Sequence, residues 1–364
     1  MMNDLVSGGG VEKVMLDLIN NLPKNEYNIT ILTPDFDPEF HNYYESSVDY
    51  WFINKNKIVS SLFIMKKINN LLSRIYRIKM KHVIDKSNFD IAIAIKEGPS
   101  MKFIAELNVP KKLAWIHVDY SSFHWAKSNF KNGQELECMR EFEHVICVSN
   151  RVKKSVINTI GDPGNLIFKA NPIDEKAILE KSKEKVTYHT EENIPLFITV
   201  GRLCKEKGYD ILLSVCKKLN ESGYKYRLDI IGDGKERGKL ENYIEVNQLS
   251  NIKLLGSKEN PYKYLKYADW FISTSRTEGY SLVTQEAAIL GIPIIATDFA
   301  DIKEFLGQNN EYGIVTEINE TSIYNAMVDV IENKDLQRYY KERIKERAMD
   351  ISLDERIQEI QQLI

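Results

Sequence analysis

The chain has 364 residues, 43% apolar and 28% charged, with only 10 Pro and 18 Gly, a composition typical of a globular protein that excludes collagen-like and low-complexity classes. Because one hydrophobic core rarely serves more than ~250–300 residues, the length predicts two domains. Residues 1–170 carry 22 Lys and Arg against 19 Asp and Glu, and residues 171–364 carry 27 against 33, so neither half has the strongly basic balance of a nucleic-acid-binding domain.

The sequence contains no segment typical of membrane insertion or export. Its longest apolar runs, such as Ile91–Ile95 and Ile292–Ala296, are far below the ~18–20 residues that span a bilayer. Met1–Gly10 lacks the basic start and the apolar stretch of a signal peptide. The four cysteines form no C-x-x-C pair and no cluster with His, which favours buried thiols in a reducing compartment. We therefore expect a cytoplasmic protein.

The first half alternates short β-rich runs with longer amphipathic stretches, a pattern typical of βα units and parallel sheets. A glycine-rich turn, Ser7-Gly8-Gly9-Gly10, precedes a helical pattern over Val11–Leu22. The strands predicted after it are Asn28–Thr33, Tyr50–Ile53, Ile91–Ile95, Leu113–His117 and His144–Val148.

A basic amphipathic segment, Leu62–Lys86, lies between the second and third of these strands. Its cations outnumber a single acid, Asp85, and alternate with apolar residues. Such helices bind anionic membrane surfaces, so we expect peripheral association with the inner face of the cell membrane; an ordinary surface helix is the alternative. The cations are Lys66, Lys67, Arg74, Arg77, Lys79, Lys81 and Lys86.

The second half repeats the alternation, and its predicted strands are Leu196–Val200, Tyr226–Ile231, Ile252–Leu255, Trp270–Ser273, Pro293–Ala296 and Gly313–Val315. A charged stretch bounded by prolines predicts a linker between the halves, and a charged helical pattern ends the chain. We therefore predict two doubly wound α/β domains that face a cleft, where such sheets bind ligands. The predicted parts are an N-terminal domain over 1–170, a linker over 171–193, a C-terminal domain over 194–340 and a helix over 341–364 that packs back towards the N-terminal domain.

Two common nucleotide-binding fingerprints are absent. The turn at Ser7–Gly10 lacks the G-x-G-x-x-G spacing of dinucleotide enzymes. The segment Gly232–Leu240 resembles a P-loop, but its Gly238-Lys239 pair has the wrong glycine spacing and is followed by Leu instead of Ser or Thr. We interpret it as a loop that closes a strand.

Two other segments suit an anion. In the first, Gly9 and Gly10 open a helix, so backbone N–H groups and the helix N-terminus can approach a phosphate; a flexible turn is the alternative. In the second, Val200-Gly201-Arg202-Leu203-Cys204-Lys205-Glu206-Lys207-Gly208, a buried strand ends beside Arg202 and Lys207. Two cations at the carboxyl end of a strand suit a diphosphate, and a solvated basic loop is the alternative.

The third segment, Ser275–Ala288, places two acids around a helix start. Glu278 lies in a loop after a predicted strand, and Glu286 lies roughly two turns into the following helix. The N–H groups of Gly279–Leu282, which point out of the helix start, are available to an anion.

Together these segments resemble the retaining glycosyltransferases of family 4, which have the GT-B fold. The E-x7-E pair is present as Glu278 and Glu286, and the likeness extends over nearly the whole chain. Asn171-Pro172-Ile173-Asp174 resembles the interdomain junction of that family, and Gly291–Asp298 resembles the strand after its E-x7-E helix. The G-R-x-x-x-E-K-G motif is present as Gly201, Arg202, Glu206, Lys207 and Gly208, and the glycine-rich entry as Gly8, Gly9 and Gly10.

The resemblance implies that a hexose or N-acetylhexosamine moves from a nucleotide-sugar, most simply a UDP-sugar, to a glycan or lipid-linked acceptor in cell-surface polysaccharide synthesis. Glu286 then binds the ribose and Glu278 holds the transferred sugar near its 3-hydroxyl. Arg202 and Lys207 neutralise the diphosphate, and His117, at the end of a predicted strand, contacts the sugar. The catalytic residues implied are Glu278, His117, Arg202 and Lys207. The further nucleotide-sugar-binding residues are Gly9, Gly10, Gly279, Tyr280, Ser281, Leu282 and Glu286.

We expect no cofactor and no metal, because cations and amides can stabilise the leaving diphosphate. Asp35-Phe36-Asp37 is similar to the D-x-D of metal-dependent GT-A enzymes, but it lies in a proline-bounded loop. Two alternatives remain open: a nucleotide-sugar epimerase of the same architecture and a two-lobed solute-binding protein. The family has a complete first strand before its glycine-rich turn, so we expect a missing or short strand here, from a late start site or a truncated product.

Overall fold

The computed structural model describes the backbone of residues 1, 9–35, 48–54, 63–131, 133–188, 193–300 and 302–364, and for residues 34–35, 50, 52–54 and 63–73 the backbone alone. It divides into two compact units, each with parallel strands and helices. The N-terminal unit comprises Met1–Pro172 and Asp354–Ile364, and the C-terminal unit comprises Ile173–Leu353.

In the N-terminal unit, the described strands form two groups whose pairs are all parallel. β1 pairs with β2, and the other four strands form a sheet in the order β3-β4-β5-β6. The strands are β1 (Thr30–Asp35), β2 (Asp49–Asn54), β3 (Ile91–Ala94), β4 (Lys111–Ile116), β5 (His144–Cys147) and β6 (Leu166–Phe168). The helices are α1 (Gly10–Asn21), α2 (Phe63–Asp85), α3 (Pro99–Ala105), α4 (Gln134–Arg140) and α5 (Asn150–Ile160).

Met1 lies beside β1 in the N-terminal unit. Its amine donates to the Thr30 carbonyl at 2.8 Å, and the Leu32 N–H donates to the Met1 carbonyl at 2.8 Å, as in a parallel pair. A cavity of about 110 Å³ is lined there by residues of both β1 and β3, including Ile93. The missing or short first strand stays a prediction, because residues 2–8, which precede α1, lie outside the described residues.

The C-terminal unit has one continuous six-stranded parallel sheet, in the order β12-β11-β10-β7-β8-β9. Its strands are β7 (Leu196–Val200), β8 (Arg227–Ile231), β9 (Ile252–Gly256), β10 (Trp270–Ser273), β11 (Ile294–Thr297) and β12 (Ile314–Thr316). Its helices are α6 (Glu175–Ser182), α7 (Tyr209–Glu221), α8 (Arg237–Val246), α9 (Tyr262–Leu265), α10 (Leu282–Ile289), α11 (Ile302–Leu306), α12 (Glu320–Glu332) and α13 (Lys334–Ala348).

The core of the C-terminal unit explains why its strands are apolar throughout. Phe197, Leu228 and Trp270, from three neighbouring strands, are buried against α7 and α12. Parallel sheets covered on both faces need such continuous apolar runs. Because β7 and β10 are neighbours, the loops that follow them leave the same edge of the sheet.

The structure differs from the predicted elements in three places. Strand β6 was not predicted, because its three residues give too short a pattern to identify. The predicted linker over 171–193 contains helix α6, which belongs to the C-terminal unit. The helical pattern at the end of the chain is interrupted at residues 349–352, so that α13 is followed by a separate helix, α14 (Leu353–Gln361), most of which belongs to the N-terminal unit.

Candidate active site

The loop after β7 has a backbone that requires glycine. Gly208 has a φ of +68°, and a Cβ there would lie 2.0 Å from the Thr274 carbonyl oxygen. The Thr274 hydroxyl donates to the Gly208 carbonyl at 3.1 Å. Gly208 therefore lets the turn after β7 pack directly on the end of β10, which brings the G-R-x-x-x-E-K-G and E-x7-E segments together.

Lys207 and Glu278 meet at this junction. The Lys207 ammonium donates to Glu278 Oε1 at 2.5 Å, and the Ser275 hydroxyl donates to the same oxygen at 2.8 Å. The side chains of Lys207 and Glu278 are 21% and 14% exposed. Partial burial reduces screening by water, so the charges in this pair interact more strongly than in a fully exposed one.

Arg202 supplies a second cation in the same loop. It is exposed, and it forms no ion pair with any carboxylate in the described part of the chain. The pKa of Glu206 is lowered mainly by hydrogen bonds to its carboxylate, and the positive charge of Arg202 lowers it further. Its guanidinium is therefore available to an anion, and a planar fork suits phosphate oxygens.

The start of α10 adds backbone donors. Ser281 is the N-cap, and its hydroxyl contacts that of Thr284 at 2.7 Å instead of capping the helix. The N–H groups of Gly279, Tyr280, Ser281 and Leu282 donate to none of the described residues. These amides, at the positive end of a helix, can bind an anion.

Glu286 is the fifth residue of α10, a little more than one turn from the start rather than the two turns predicted. It is 4% exposed, and its Oε1 accepts a hydrogen bond from the Tyr262 hydroxyl at 3.0 Å. Tyr262 was not among the predicted site residues, because a lone tyrosine at the start of α9 matches no motif.

The remaining predicted site residues lie in the N-terminal unit. Gly9 is the N-cap of α1 and Gly10 its first residue, and both are exposed. Gly8 lies outside the described residues. Phe36 and Asp37 of the D-x-D sequence also lie outside, so the structure does not describe that motif.

His117 follows β4 and is held from two sides. Its Nε2 lies 2.8 Å from the Ile95 carbonyl oxygen, which can only accept, so the ring donates through Nε2–H. Its backbone N–H donates to Glu97 at 3.0 Å. Burial lowers the pKa of His117 to about 4, which leaves the ring neutral at pH 7, with Nδ1 as its remaining acceptor.

Glu97 is a buried carboxylate that sequence reasoning missed. It is 0% exposed and also accepts a hydrogen bond from the Trp125 indole N–H at 2.5 Å. The ammonium of its neighbour Lys96 lies 4.8 Å from the centre of the Trp125 ring. The only sign in the sequence was a charged pair directly after a buried strand, where α/β sheets carry their polar sites.

Comparison with protein families assigns both halves of the chain. A family described as Glycosyltransferase Family 4 matches residues 8–176, and one described as Glycosyl transferases group 1 matches residues 180–347. The protein belongs to glycosyltransferase family 4. It is therefore an enzyme that transfers sugars. Of the helices that the structure describes, none has the length and hydropathy to cross a bilayer.

Individual relatives agree with this assignment. The transferase is 25% identical to an uncharacterized glycosyltransferase of Methanocaldococcus jannaschii, over 90% of this chain and 93% of that protein. It is 29% identical to an N-acetylgalactosaminyltransferase of Campylobacter jejuni whose acceptor is a diphospho-undecaprenol-linked saccharide, over 49% of this chain and 47% of that protein.

Solved structures confirm the GT-B fold. Anabaena HepE in complex with UDP-glucose superposes with a TM-score of 0.78 at 15% identity, over 99% of the transferase and 97% of HepE. TarM superposes with a TM-score of 0.79 at 14% identity, over 100% of the transferase and 97% of TarM.

Proposed function

We propose that the protein is a retaining glycosyltransferase that moves a hexose or N-acetylhexosamine from a UDP-sugar to a glycan or lipid-linked acceptor in cell-surface polysaccharide synthesis. The observation that carries the proposal is the contact between Lys207 and Glu278, beside the exposed Arg202. When the bond between sugar and nucleotide breaks, negative charge develops on the leaving diphosphate. Cations and amides already in place stabilise that charge without reorganisation.

Each predicted residue has a distinct task in this proposal. Arg202 and Lys207 bind the diphosphate, assisted by the amides of Gly279–Leu282. Glu278 binds a hydroxyl of the transferred sugar, and Glu286 accepts hydrogen bonds from the ribose. For the N-terminal unit, we propose that the backbone N–H groups at Gly9 and Gly10 bind an anion at the positive end of α1 and that the Nδ1 acceptor of His117 binds a sugar hydroxyl.

Named relatives support the choice of donor and acceptor. Anabaena HepE was crystallised with UDP, with UDP and glucose, and with UDP-glucose. The Campylobacter relative acts on a lipid-linked saccharide, and a Staphylococcus aureus relative, 27% identical over 52% of this chain and 49% of that protein, is named for capsular polysaccharide biosynthesis. A UDP-sugar donor and a lipid-linked or glycan acceptor are the simplest chemistry consistent with both.

The direct test is release of UDP from a panel of UDP-sugars, with and without an acceptor extract. A transferase releases UDP faster with acceptor, an epimerase interconverts UDP-sugars without acceptor, and a solute-binding protein does neither. The anomeric configuration of the product, read by NMR, tests retention. Chelation with EDTA should leave the rate unchanged, since the proposal assigns the diphosphate to Arg202 and Lys207.

We also propose that helix α2 docks the enzyme on the inner face of the membrane. Ile78 is 71% exposed and Ile75 is 52% exposed, and Arg74 and Lys79 are exposed beside them. Apolar and basic side chains that share an exposed helical face suit an anionic lipid surface.

Two other cations of α2 are engaged within the unit. Arg77 pairs with Glu106 at 3.1 Å, and Lys81 pairs with Asp85 at 3.0 Å. Among the cations of this segment whose side chains the structure describes, those most available to lipid are therefore Arg74, Lys79 and Lys86, which are exposed and follow one another along the helix and the turn after it.

Co-sedimentation with vesicles tests the docking. Reversing Lys67, Arg74, Lys79 and Lys86 to Glu should release the protein from vesicles rich in phosphatidylglycerol. A matched control reverses four exposed cations of α13, namely Lys334, Arg338, Lys341 and Lys345. Equal binding by both variants would reject this surface.

A further inference from the structure

Arg276 joins the two loops that carry the charged pair. Its guanidinium donates to both carboxylate oxygens of Asp210 at 2.7 Å and to the Lys205 carbonyl at 2.8 Å. Its backbone N–H donates to the Glu206 carbonyl at 2.7 Å. One residue of the loop after β10 thus makes four hydrogen bonds to the turn after β7 and the start of α7.

These bonds surround the contact between Lys207 and Glu278. Arg276 lies two residues before Glu278, while its partners lie on both sides of Lys207 in the sequence. Hydrogen bonding to Arg276 lowers the pKa of Asp210, so that carboxylate stays ionised at neutral pH. A planar fork that binds a carboxylate and a carbonyl together fixes the relative position of the two loops more strictly than a single ammonium does.

Stability alone does not account for this arrangement. The side chains of Arg276 and Asp210 are 31% and 61% exposed, and ion pairs so open to solvent contribute little to folding. We infer that these contacts matter for the relative position of the two loops. A displacement of about 1 Å at a catalytic group can lower the rate about 10²-fold.

We propose that Arg276 is a positioning residue that holds the Lys207 turn against the Glu278 loop, in the arrangement that binds the diphosphate. This inference rests on the proposed function, since it takes Lys207 as the diphosphate ligand. Arg276 itself acts only through Lys207 and Glu278.

The chain offers a matched control in Arg347. That guanidinium also joins backbone carbonyls to a carboxylate: it donates to Phe305 O at 2.8 Å and to Asp350 at 2.5 Å, and its side chain is 26% exposed. Arg276→Met and Arg347→Met therefore each remove bonds to a carboxylate and to backbone carbonyls, and Arg347→Met also removes contacts with the Phe305 and Tyr312 rings. Both should lower Tm by a small amount, about 2–4 °C.

Turnover separates the two variants. Arg276→Met should lose about 10–100-fold in kcat at saturating UDP-sugar, and Arg347→Met should stay within about twofold of the wild type. In a Lys207→Ala background, Arg276→Met should cost less than about threefold more, because residues that act as a unit are not additive. The proposal would be overturned if the effects of Arg276→Met and Lys207→Ala on turnover were fully additive, or if Arg276→Met had normal turnover.

Amide hydrogen exchange tests the positioning role of Arg276 without any substrate. The Lys207 N–H donates to the Cys204 carbonyl and the Gly208 N–H to the Lys205 carbonyl, both at 3.2 Å. In Arg276→Met these two amides should exchange about tenfold faster, and in Arg347→Met they should be unchanged. If the wild type transfers no sugar, the proposed function fails, but the exchange rates still test whether Arg276 positions the Lys207 turn. Unchanged exchange in Arg276→Met would reject that positioning role.

Discussion

In both units, loops that follow two neighbouring parallel strands bring an acidic and a basic side chain together. The basic side chain is charged in one unit and neutral in the other. In the C-terminal unit, the loops after the neighbours β7 and β10 bring together Lys207 and Glu278, which share one ion pair. In the N-terminal unit, the loops after the neighbours β3 and β4 bring together Glu97 and His117, where the imidazole is neutral. Adjacent strands decide which residues meet, and burial decides which of them carry charge.

The units differ also in the charged groups that lie on their sheets. The C-terminal sheet is unbroken through six strands, so its cationic loop rests on a complete core. In the N-terminal unit, the Met1 amine is paired with β1. We therefore expect the largest effects on chemistry in the C-terminal unit and on the pH dependence of folding in the N-terminal unit.

The largest expected effect is that of Lys207→Ala. Losing one preorganised donor to a developing charge typically costs ~10²–10³ in turnover, or about 2.7–4 kcal/mol. UDP release at saturating donor measures it. Lys218→Ala is the matched control, since Lys218 also pairs with a glutamate, Glu320, at 2.6 Å but lies on α7 away from the loop. Turnover within about threefold of the wild type in Lys207→Ala would remove the diphosphate assignment.

Much of this cationic site could be predicted because its signals are local. Strands β7 and β10 were predicted with their observed ends, since both are buried apolar runs bounded by polar loops. The spacing of Glu278 and Glu286 and the run from Gly201 to Gly208 marked the two loops. The sequence could not predict which atoms would meet, because the contact of Lys207 with Glu278 spans 71 residues of chain.

Other features leave almost no local trace. Glu97 is a single acid in a turn, and only the pairing of β3 with β4 places it against His117. Three-residue β6 is too short for a period of two to be recognised. The break between α13 and α14 falls inside a continuous helical pattern, where Ile351 and Leu353 are buried in positions that tertiary packing decides.

The second prediction concerns the pH dependence of folding in a chain with a free Met1 amine. Burial lowers the pKa of that amine from 8.0 to about 5. As the pH falls through 8, the Met1 amine binds a proton in the unfolded chain, whereas in the folded chain it stays neutral until about pH 5. Stability is therefore fully present above pH 8, declines as the pH falls, and levels off below about 5.

A pKa shift of three units sets an upper bound of about 4 kcal/mol on the loss of unfolding free energy between pH 8 and pH 5. Because the amine keeps some hydration in the folded chain, we expect a loss of about 2 kcal/mol. Urea unfolding at both values measures it. Acetylation of the Met1 nitrogen is the control, because it removes this titration and leaves every histidine in place. The same pH dependence before and after acetylation would show that the amine is hydrated in the folded chain.

The third prediction is that Glu286→Gln weakens UDP binding about tenfold, since hydrogen bonds to a charged acceptor contribute about 1.5–3 kcal/mol. Calorimetry with UDP measures the change. Glu332→Gln is the control: Glu332 also accepts from a tyrosine hydroxyl, that of Tyr224, at 2.7 Å, but on an exposed surface. Equal UDP affinity in Glu286→Gln and the wild type would exclude Glu286 from the nucleotide site.

The smallest expected effect is that of His117→Ala in the N-terminal unit. A neutral imidazole that only accepts a hydrogen bond from a sugar hydroxyl contributes about 1 kcal/mol, so turnover should fall about fivefold. Affinity for UDP should not change, because the proposed function assigns the ring to the sugar alone. Since the pKa of His117 is lowered to about 4, the ring does not titrate between pH 5.5 and pH 8, and the pH profiles of turnover for His117→Ala and the wild type should be parallel there. A wild-type inflection near pH 6.5 that disappears in His117→Ala would show instead that the imidazole is charged during catalysis, and the electrostatic difference between the two units would then vanish.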